Sequence, residues 1–325
     1  MTFKTAETEP WAILLAVGPG DVELERLRDL AESIAVYAGD VDRIQIVDDA
    51  QRPGRLIEAF SPALRGRVRC VANRPVRGAV GWRDGLNVAI WIGLRELAEA
   101  GRWSFVLKLD TDSLLIAPPR APILQRFNCV DRPSLIGYYQ GEQTVKHDGW
   151  RIFEPYIRVM ESLVCEYRDP ITGRRRIYWG LGPRGFRRRR LLAAARANGY
   201  TFSEHCQGGG YALHGRALEL LNEKRAFNDC RLWANVAFTE DVALALTVRS
   251  AGMALGNADG GGQAFGVRYR GLPASPRELL QRGSAVIHSV KSDGVNQEGE
   301  VRAFFKARRS ACAMGPVVYS TQSKP

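Results

Sequence analysis

The chain has 325 residues, of which 45% are apolar and 25% charged, and its formal net charge is +11. These proportions are ordinary for a soluble globular protein, and the length allows one large domain or two small ones with a substantial core. The positive charge is uneven: residues 162–190 contain nine arginines and two acids, which accounts for +7 of the total. The basic character is therefore largely local.

Several classes of protein are excluded by simple patterns. The first ten residues are polar and acidic, unlike a secretory signal peptide. No run of apolar residues is as long as the about 18 residues that are needed to span a bilayer. The six cysteines are scattered, without the Cys-x-x-Cys pairs of zinc sites. We therefore expect a cytoplasmic protein with reduced thiols, with or without peripheral contact at the inner face of a membrane.

The first third of the chain alternates strand and helix patterns. Residues 11–17, 43–47 and 67–72 are short apolar runs typical of strands. Apolar residues at helical spacing predict helices over 22–37 and 82–100, the second ending before Gly101. This alternation predicts an α/β fold with a mainly parallel sheet between helices.

The expected organisation is a single domain over residues 11–310, between tails at 1–10 and 311–325. We expect residues 11–116 to form a nucleotide-binding half and residues 117–310 an acceptor and catalytic half. A conventional dinucleotide fold is disfavoured, because Asp21 follows Gly18-Pro-Gly20 and the third glycine of the phosphate loop is missing.

The central motif of the chain lies in residues 105–116. An apolar strand pattern ends there in Asp110 and Asp112, and side chains two residues apart share one side of an emerging strand. Open α/β sheets bind ligands beyond the carboxyl ends of their strands, and two carboxylates there favour Mg²⁺ or Mn²⁺ with a nucleotide diphosphate. Asp40 and Asp42 have the same spacing but precede an apolar run, which is typical of a turn.

The middle of the chain is less regular. A strand is predicted over 135–139, an insertion or mobile loop over 141–185, and a basic helix over 187–197. The arginines at 174–176 and 187–190 have three interpretations: a solvated basic face, a site for an anionic acceptor or anionic membrane surface, or a nucleic-acid site. Aromatic residues are not regularly interleaved with them, so we expect no specific nucleic-acid partner.

Three further segments carry polar groups suited to catalysis or binding. Gly208, Gly209 and Gly210 precede a predicted helix, and they form either a close backbone approach to a ligand or a flexible turn. Thr239 is placed to cap a helix whose first turn holds Glu240 and Asp241, either as helix-stabilising acids or as a general base.

The last polar segment is a short strand pattern over residues 285–291. It ends in His288, an imidazole suited to a cation already held by carboxylates, and in Lys291, a cation suited to phosphate. The remaining histidines, at positions 147, 205 and 214, have no such setting and are interpreted as structural.

In their order, these segments resemble the GT-A glycosyltransferases, and above all the β-1,3-galactosyltransferase and Fringe-like group. Residues 105–112 are similar to that group's strand-borne Asp-x-Asp, and Cys206-Gln-Gly-Gly-Gly-Tyr-Ala-Leu213 resembles its Cys-x-Gly-Gly-Gly-Tyr-x-Leu segment. Glu240-Asp-Val242 matches its Glu-Asp-Val. Thr111 replaces the middle acid of the common Asp-Asp-Asp. The N-terminal third, with residues 73–87 preceding a helix, is more similar to bacterial inverting transferases in general.

The resemblance implies a metal-dependent inverting transfer of a hexose or N-acetylhexosamine from a nucleotide sugar, expected to be UDP-linked, to an acceptor hydroxyl. Asp241 would be the general base, with Glu240 in reserve. Metal ligands would be Asp110, Asp112 and His288, holding Mn²⁺ or Mg²⁺. Donor contacts would come from the following residues: Asp48, Asp49, Arg83, Lys108, Asp110, Gly208, Gly209, Gly210 and Lys291.

Two other functions fit parts of the pattern. A nucleotidyltransferase that makes sugar nucleotides also uses acids with Mg²⁺, but residues 16–21 are a poor version of its glycine-rich, arginine-bearing loop. A non-catalytic binder of nucleic acid or an anionic surface would use the arginine-rich region. The pattern leaves open the transferred sugar and the acceptor, which could be a glycan, a lipid-linked intermediate, a protein or a small molecule.

Overall fold

The computed structural model describes residues 9–73, 82–129, 134–141, 164–168, 175–179, 182–201, 204–234, 236, 239–258 and 264–313. Within these ranges, residues 82–84, 164–168, 175–179, 312 and 313 are described by their backbone alone. His147 and parts of the expected irregular region therefore lie outside the described residues, as does the side chain of Arg83.

The strands of the described chain are Ala12–Val17 (β1), Arg43–Asp48 (β2), Val68–Ala72 (β3), Phe105–Leu109 (β4), Leu114–Leu115 (β5), Ser134–Gln140 (β6), Val164–Arg168 (β7), Arg175–Trp179 (β8), His205–His214 (β9), Ala254–Asn257 (β10), Phe265–Val267 (β11) and Val286–His288 (β12). The helices are Asp21–Tyr37 (α1), Pro53–Glu58 (α2), Pro62–Arg65 (α3), Trp82–Ala100 (α4), Arg120–Asn128 (α5), Pro183–Ala197 (α6), Gly215–Glu223 (α7), Glu240–Ser250 (α8), Pro276–Gln281 (α9) and Glu298–Ala313 (α10).

The main sheet has seven strands in the order β10-β6-β9-β4-β1-β2-β3. Six of them are parallel, and β9 runs antiparallel to both of its neighbours, β4 and β6. A smaller sheet has the order β11-β12-β5, and β7 pairs with β8 as a hairpin. The predicted α/β class with a mainly parallel sheet is confirmed.

Apolar layers cover both faces of the main sheet. On one face, Trp91 of α4 packs edge-on against Phe227 and Trp233, with ring centroids 6.5 and 6.3 Å away. On the other face, Trp11 stacks on Phe105 at 5.1 Å. Because β1 and β4 are buried on both faces, their sequences do not alternate between apolar and polar residues, and Lys108 is the one polar residue in these two strands.

The structure differs from the predicted elements in three places. Gly208 to Gly210 lie inside the fully buried strand β9, so the flexible-turn interpretation is wrong. The region 141–185, expected to be irregular, contains the β7–β8 hairpin. The basic helix, expected from residue 187, begins at Pro183.

The end of β9 shows how one buried histidine starts a helix. His214 is the N-cap of α7, where its Nδ1 accepts a hydrogen bond of 3.0 Å from the Arg216 amide. Its ring packs edge-on against Phe127 at 5.0 Å. Burial lowers the pKa of His214 to about 4, so the ring stays neutral and keeps its acceptor at neutral pH.

This burial predicts a pH-dependent loss of stability. Between pH 6.5 and about pH 4 the unfolded chain binds a proton at this histidine and the folded chain does not. The free energy of unfolding therefore falls as the pH falls through this window, by up to about 3 kcal/mol from this residue. His214→Asn keeps an acceptor for the cap but does not titrate, so urea denaturation between pH 4.5 and 7 is expected to show a flatter pH dependence. An unchanged slope would contradict this assignment.

Candidate active site

The turn after β4 places two carboxylates at the carboxyl edge of the main sheet. The Asp110 amide donates to Ser113 Oγ at 3.2 Å, and the Ser113 amide donates to the Asp110 carbonyl at 3.0 Å. Thr111 Oγ1 lies on the other side, where it donates to Glu23 of α1. The expectation that Asp110 and Asp112 share one side, with Thr111 opposite, is confirmed.

A histidine from the small sheet completes a cluster with these two acids. His288 Nε2 lies 3.3 Å from Asp112 Oδ2 and 3.7 Å from Asp110 Oδ2. One ligand atom from each of the three residues lies within 4.8 Å of the others. The cluster fits a single divalent cation.

The surroundings of His288 and Asp112 also fit a metal site. His288 Nδ1 lies 2.8 Å from the Arg268 carbonyl, which fixes the proton on Nδ1 and leaves Nε2 for an ion. Burial would raise the pKa of Asp112, but His288 and the Lys291 ammonium hold it well below its usual range. Asp112 is therefore ionised, as a ligand must be. Carboxylate oxygens and an imidazole nitrogen are both common ligands of divalent cations.

Two more residues approach Asp112 from the segment after β12. Ser289 Oγ donates to Asp112 Oδ2 at 2.6 Å, and Lys291 Nζ lies 3.1 Å from the same oxygen. The Lys291 side chain is 45% exposed, so its ammonium is able to turn towards a phosphate placed next to the ion.

Behind Asp110, a buried lysine joins two carboxylates. The side chain of Lys108 is 1% exposed, and its Nζ lies 2.6 Å from Asp110 Oδ1 and 3.0 Å from Glu240 Oε1. Its third acceptor is the Gly208 carbonyl. All three ammonium hydrogens are therefore used within the protein, and we assign Lys108 to the support of the site, not to nucleotide contact.

Glu240 is enclosed on all sides by this arrangement. Its side chain is 3% exposed, and burial raises its pKa to about 7 although Lys108 lies beside it. Glu240 is therefore almost completely shielded from solvent. This geometry places Glu240 next to Lys108 as its ion-pair partner.

The glycines of β9 connect the two sides of the site. Gly137 pairs with Tyr211 and Tyr139 with Cys206, so one residue of β6 lies opposite four residues of β9. A Cβ atom on Gly208 would lie 3.2 Å from Asp241 Oδ2, and one on Gly209 would lie 1.9 Å from His288 Nδ1. The strand thus bulges where only glycine fits, and it separates Asp241 from His288 by little more than its own backbone.

Asp241 is held in a defined orientation. Its Oδ2 accepts from the Gly208 amide at 3.1 Å, and its Oδ1 accepts from the Val242 amide at 2.8 Å and from the Thr239 hydroxyl. His205 Nε2 lies 3.8 Å from Asp241 Oδ2. The sequence did not indicate this contact, because Asp241 lies on another element of the fold.

The acids expected to bind the nucleoside have separate environments. Asp48 is buried and accepts from the Ala50 amide at 2.8 Å and from the Arg52 amide, so it closes the turn after β2. Asp49 is exposed at the end of the same strand and accepts from Asn73 Nδ2. Asp49 is therefore better placed than Asp48 to contact a ligand.

The basic helix α6 is only partly a free surface. Arg188 is buried and donates to the carbonyls of Leu232 and, at 2.7 Å, Ala234. On the exposed side, Phe186 is 60% exposed and lies 5.7 Å from the Arg189 guanidinium. The interpretation of these arginines as one solvated face is therefore wrong for Arg188. Among the residues the structure describes, no helix is both long and apolar enough to cross a membrane.

Comparison with known proteins yields similarity in structure alone. The chain matches no protein-family model and no curated protein sequence. It is similar to the crystal structure of the galactosyltransferase LgtC with donor and acceptor sugar analogues, with a TM-score of 0.47, 11% identity, and coverage of 92% of this chain and 95% of that one.

Two other solved structures are similar to a comparable extent. The bifunctional glycosyltransferase WbbM gives a TM-score of 0.45 at 10% identity, over 89% of this chain and 47% of that chain. The 4-diphosphocytidyl-2C-methyl-D-erythritol synthase of Anaerococcus prevotii gives 0.40 at 12% identity, over 85% and 95%. Because these TM-scores lie below 0.5, the assignment of function depends on the geometry of the site.

The close contact at Gly209 predicts that this position controls metal binding. In Gly209→Ala the new methyl group would overlap the His288 ring and displace it from the two acids. We expect the Kd for Mn²⁺ to rise at least about tenfold in isothermal titration calorimetry. Gly299→Ala is the matched control, because nothing lies within 4 Å of its added methyl group. Wild-type affinity in Gly209→Ala would exclude His288 as a ligand.

The burial of Lys108 also leads to a prediction about the stability of the protein. Lys108→Met leaves Glu240 and Asp110 without their shared cation, and we expect the free energy of unfolding to fall by about 3–5 kcal/mol in urea denaturation. Without Lys108 the buried Glu240 must take up a proton, and adding Glu240→Gln removes that cost, so the double variant is expected to recover part of the loss. A double variant no more stable than Lys108→Met would show that the ion pair is not what stabilises this region.

Proposed function

We propose that this chain is a GT-A glycosyltransferase that transfers a hexose or N-acetylhexosamine, with inversion, from a nucleotide sugar to an acceptor hydroxyl. The observation that carries the proposal is the position of the Asp110, Asp112 and His288 cluster at the carboxyl edge of a parallel sheet, with Asp241 across one glycine bulge. Ligands of open α/β sheets bind at this edge. UDP is the expected nucleotide.

The metal ligands in this proposal are Asp110, Asp112 and His288, with Mn²⁺ favoured over Mg²⁺ by the imidazole. A divalent ion bound there would neutralise charge on the departing diphosphate. Lys291, which is partly exposed beside Asp112, would contact a phosphate oxygen. Asp49, exposed at the end of β2, is the expected contact to the nucleoside, and Arg83 remains a proposed contact.

Asp241 serves as the general base. One of its carboxylate oxygens takes the proton of the acceptor hydroxyl. At the same time the acceptor oxygen bonds to the anomeric carbon, and the bond from that carbon to the diphosphate breaks. A single displacement of this kind inverts the stereocentre. The hydrogen bonds from the Gly208 and Val242 amides fix the direction of the carboxylate, which supports this role.

The acceptor stays broadly defined as a glycan, a lipid-linked intermediate or another hydroxyl compound. The exposed side of α6, with Phe186 and Arg189, supports an anionic acceptor or an anionic membrane surface as the neighbour of the protein. A cytoplasmic location is part of the same proposal.

The proposal predicts separate effects for the base and the metal ligands. A thermal-shift panel of nucleotide sugars with Mn²⁺ identifies the donor, since a bound donor raises Tm. With that donor, Asp241→Asn is expected to lower kcat by at least about 100-fold while nucleotide affinity changes less than about twofold. Asp112→Asn is expected to abolish the Mn²⁺-dependent rise in Tm. Asp229→Asn, in a surface ion pair with Arg184, is the control.

Three outcomes would contradict this function. Full turnover in Asp241→Asn removes Asp241 as the base. Pyrophosphate release from a nucleoside triphosphate, without sugar transfer, indicates a nucleotidyltransferase. Steeply salt-dependent nucleic-acid binding without donor binding indicates a non-catalytic binder that uses the arginine-rich region.

A further inference from the structure

The turn that carries the metal ligands is attached to helix α1. Thr111, between the two acids, is 4% exposed, and its hydroxyl donates to Glu23 Oε2. Glu23 also pairs with Arg26 one turn further along α1, at 2.8 Å. The carboxylate of Glu23 thus connects the turn to a charged stripe of the helix.

That stripe continues onto the last helix of the described chain. Arg26 makes two parallel hydrogen bonds to Glu298, of 2.8 and 2.7 Å. Glu298 bonds Arg302 at 2.9 Å, and Arg302 reaches back to Asp29 of α1 at 2.6 Å. Charges of alternating sign therefore join α1 to α10.

The far end of this charged stripe contains a buried guanidinium. Arg309 of α10 is 4% exposed and bonds Asp29, with Glu32 at 3.5 Å. The charges link α1 and α10 in the following order: Glu23, Arg26, Glu298, Arg302, Asp29, Arg309, Glu32. The side chains of Arg26 and Glu298 are 15% and 23% exposed. Ion pairs this enclosed are screened less by salt than surface pairs, and the bidentate arginine pair fixes its geometry.

The second connection to the metal turn comes from the segment before α10. Ser289 Oγ and Lys291 Nζ contact the Asp112 carboxylate, and the Val290 amide donates to the Asp112 carbonyl at 3.0 Å. This segment leads directly into α10, which begins at Glu298. Asp112 is thus held from one side through Thr111 and from the other through residues 289–291.

We propose that Glu23, Arg26 and Glu298 are positioning residues for the metal site. The pairs between α1 and α10 hold Thr111 and residues 289–291 at a fixed separation, and this separation sets the distance between the two carboxylates and His288. None of the three residues contacts the ligand atoms of the cluster. If these ion pairs merely stabilised the fold, breaking them would change Tm and leave the affinity for a cation unaltered.

Two matched pairs of variants separate these roles. Thr111→Val removes the hydroxyl and keeps the shape of the side chain, whereas Thr111→Ser keeps the hydroxyl. Arg26→Gln breaks the link to Glu298, whereas Arg216→Gln removes an arginine of α7 that also pairs with two acids, at 2.7 and 3.1 Å. Binding of Mn²⁺ alone is measured by calorimetry and by the Mn²⁺ electron paramagnetic resonance spectrum, with Tm recorded in parallel.

We expect the Kd for Mn²⁺ to rise about tenfold in Thr111→Val and Arg26→Gln, with a changed resonance spectrum. Thr111→Ser and Arg216→Gln are expected to stay within about twofold of wild type. Equal affinity in all folded variants, whatever their Tm, would overturn the inference. If Arg26→Gln does not fold, Thr111→Val decides, because it leaves every ion pair intact.

The inference rests on the metal cluster of the proposed function but not on sugar transfer. A wild-type protein that binds no divalent cation would defeat the proposed metal site itself. A wild-type protein that binds Mn²⁺ while Thr111→Val and Arg26→Gln bind it equally well would defeat the positioning role alone.

Discussion

The candidate site depends on one buried cation. Lys108 compensates Asp110 and Glu240, and it also binds the carbonyl of Gly208 in the neighbouring strand. An ammonium removed from water is tolerated only when carboxylates and carbonyls replace its hydration, and the carboxylates in turn need the ammonium. This mutual requirement joins β4, β9 and α8 at one point and places Asp110 at the edge of the sheet.

The reversed strand β9 gives the site its two sides. Its bulge brings Gly208 against the start of α8 and Gly209 against the end of β12. Side chains at either position would collide with Glu240 or with His288. The absence of side chains lets a helix and a second sheet meet across a single strand, so that Asp241 and His288 flank the same short piece of backbone.

Much of this could be predicted from local patterns. The buried strand before Asp110, the alternation of faces at Asp112 and the acids at the start of α8 follow from periodicity and burial, which are properties of neighbouring residues. The role of Lys108 could not be predicted in this way, because its partner Glu240 is 132 residues away. The same holds for the contact between His205 and Asp241, which lie on different elements.

The sequence by itself determined the class of fold, the strand that ends in two acids, and the residue types available for a metal. The tertiary structure alone decided which of these groups meet. The structure places the glycines in a bulge of the sheet and not in a turn, and it shows that Asp48 closes a loop. It also shows that Glu240 is enclosed next to Lys108 and differs in this from Asp241. The physical reason is that periodicity is encoded within a few residues, whereas burial, charge compensation and the meeting of distant side chains arise only when the sheet is assembled.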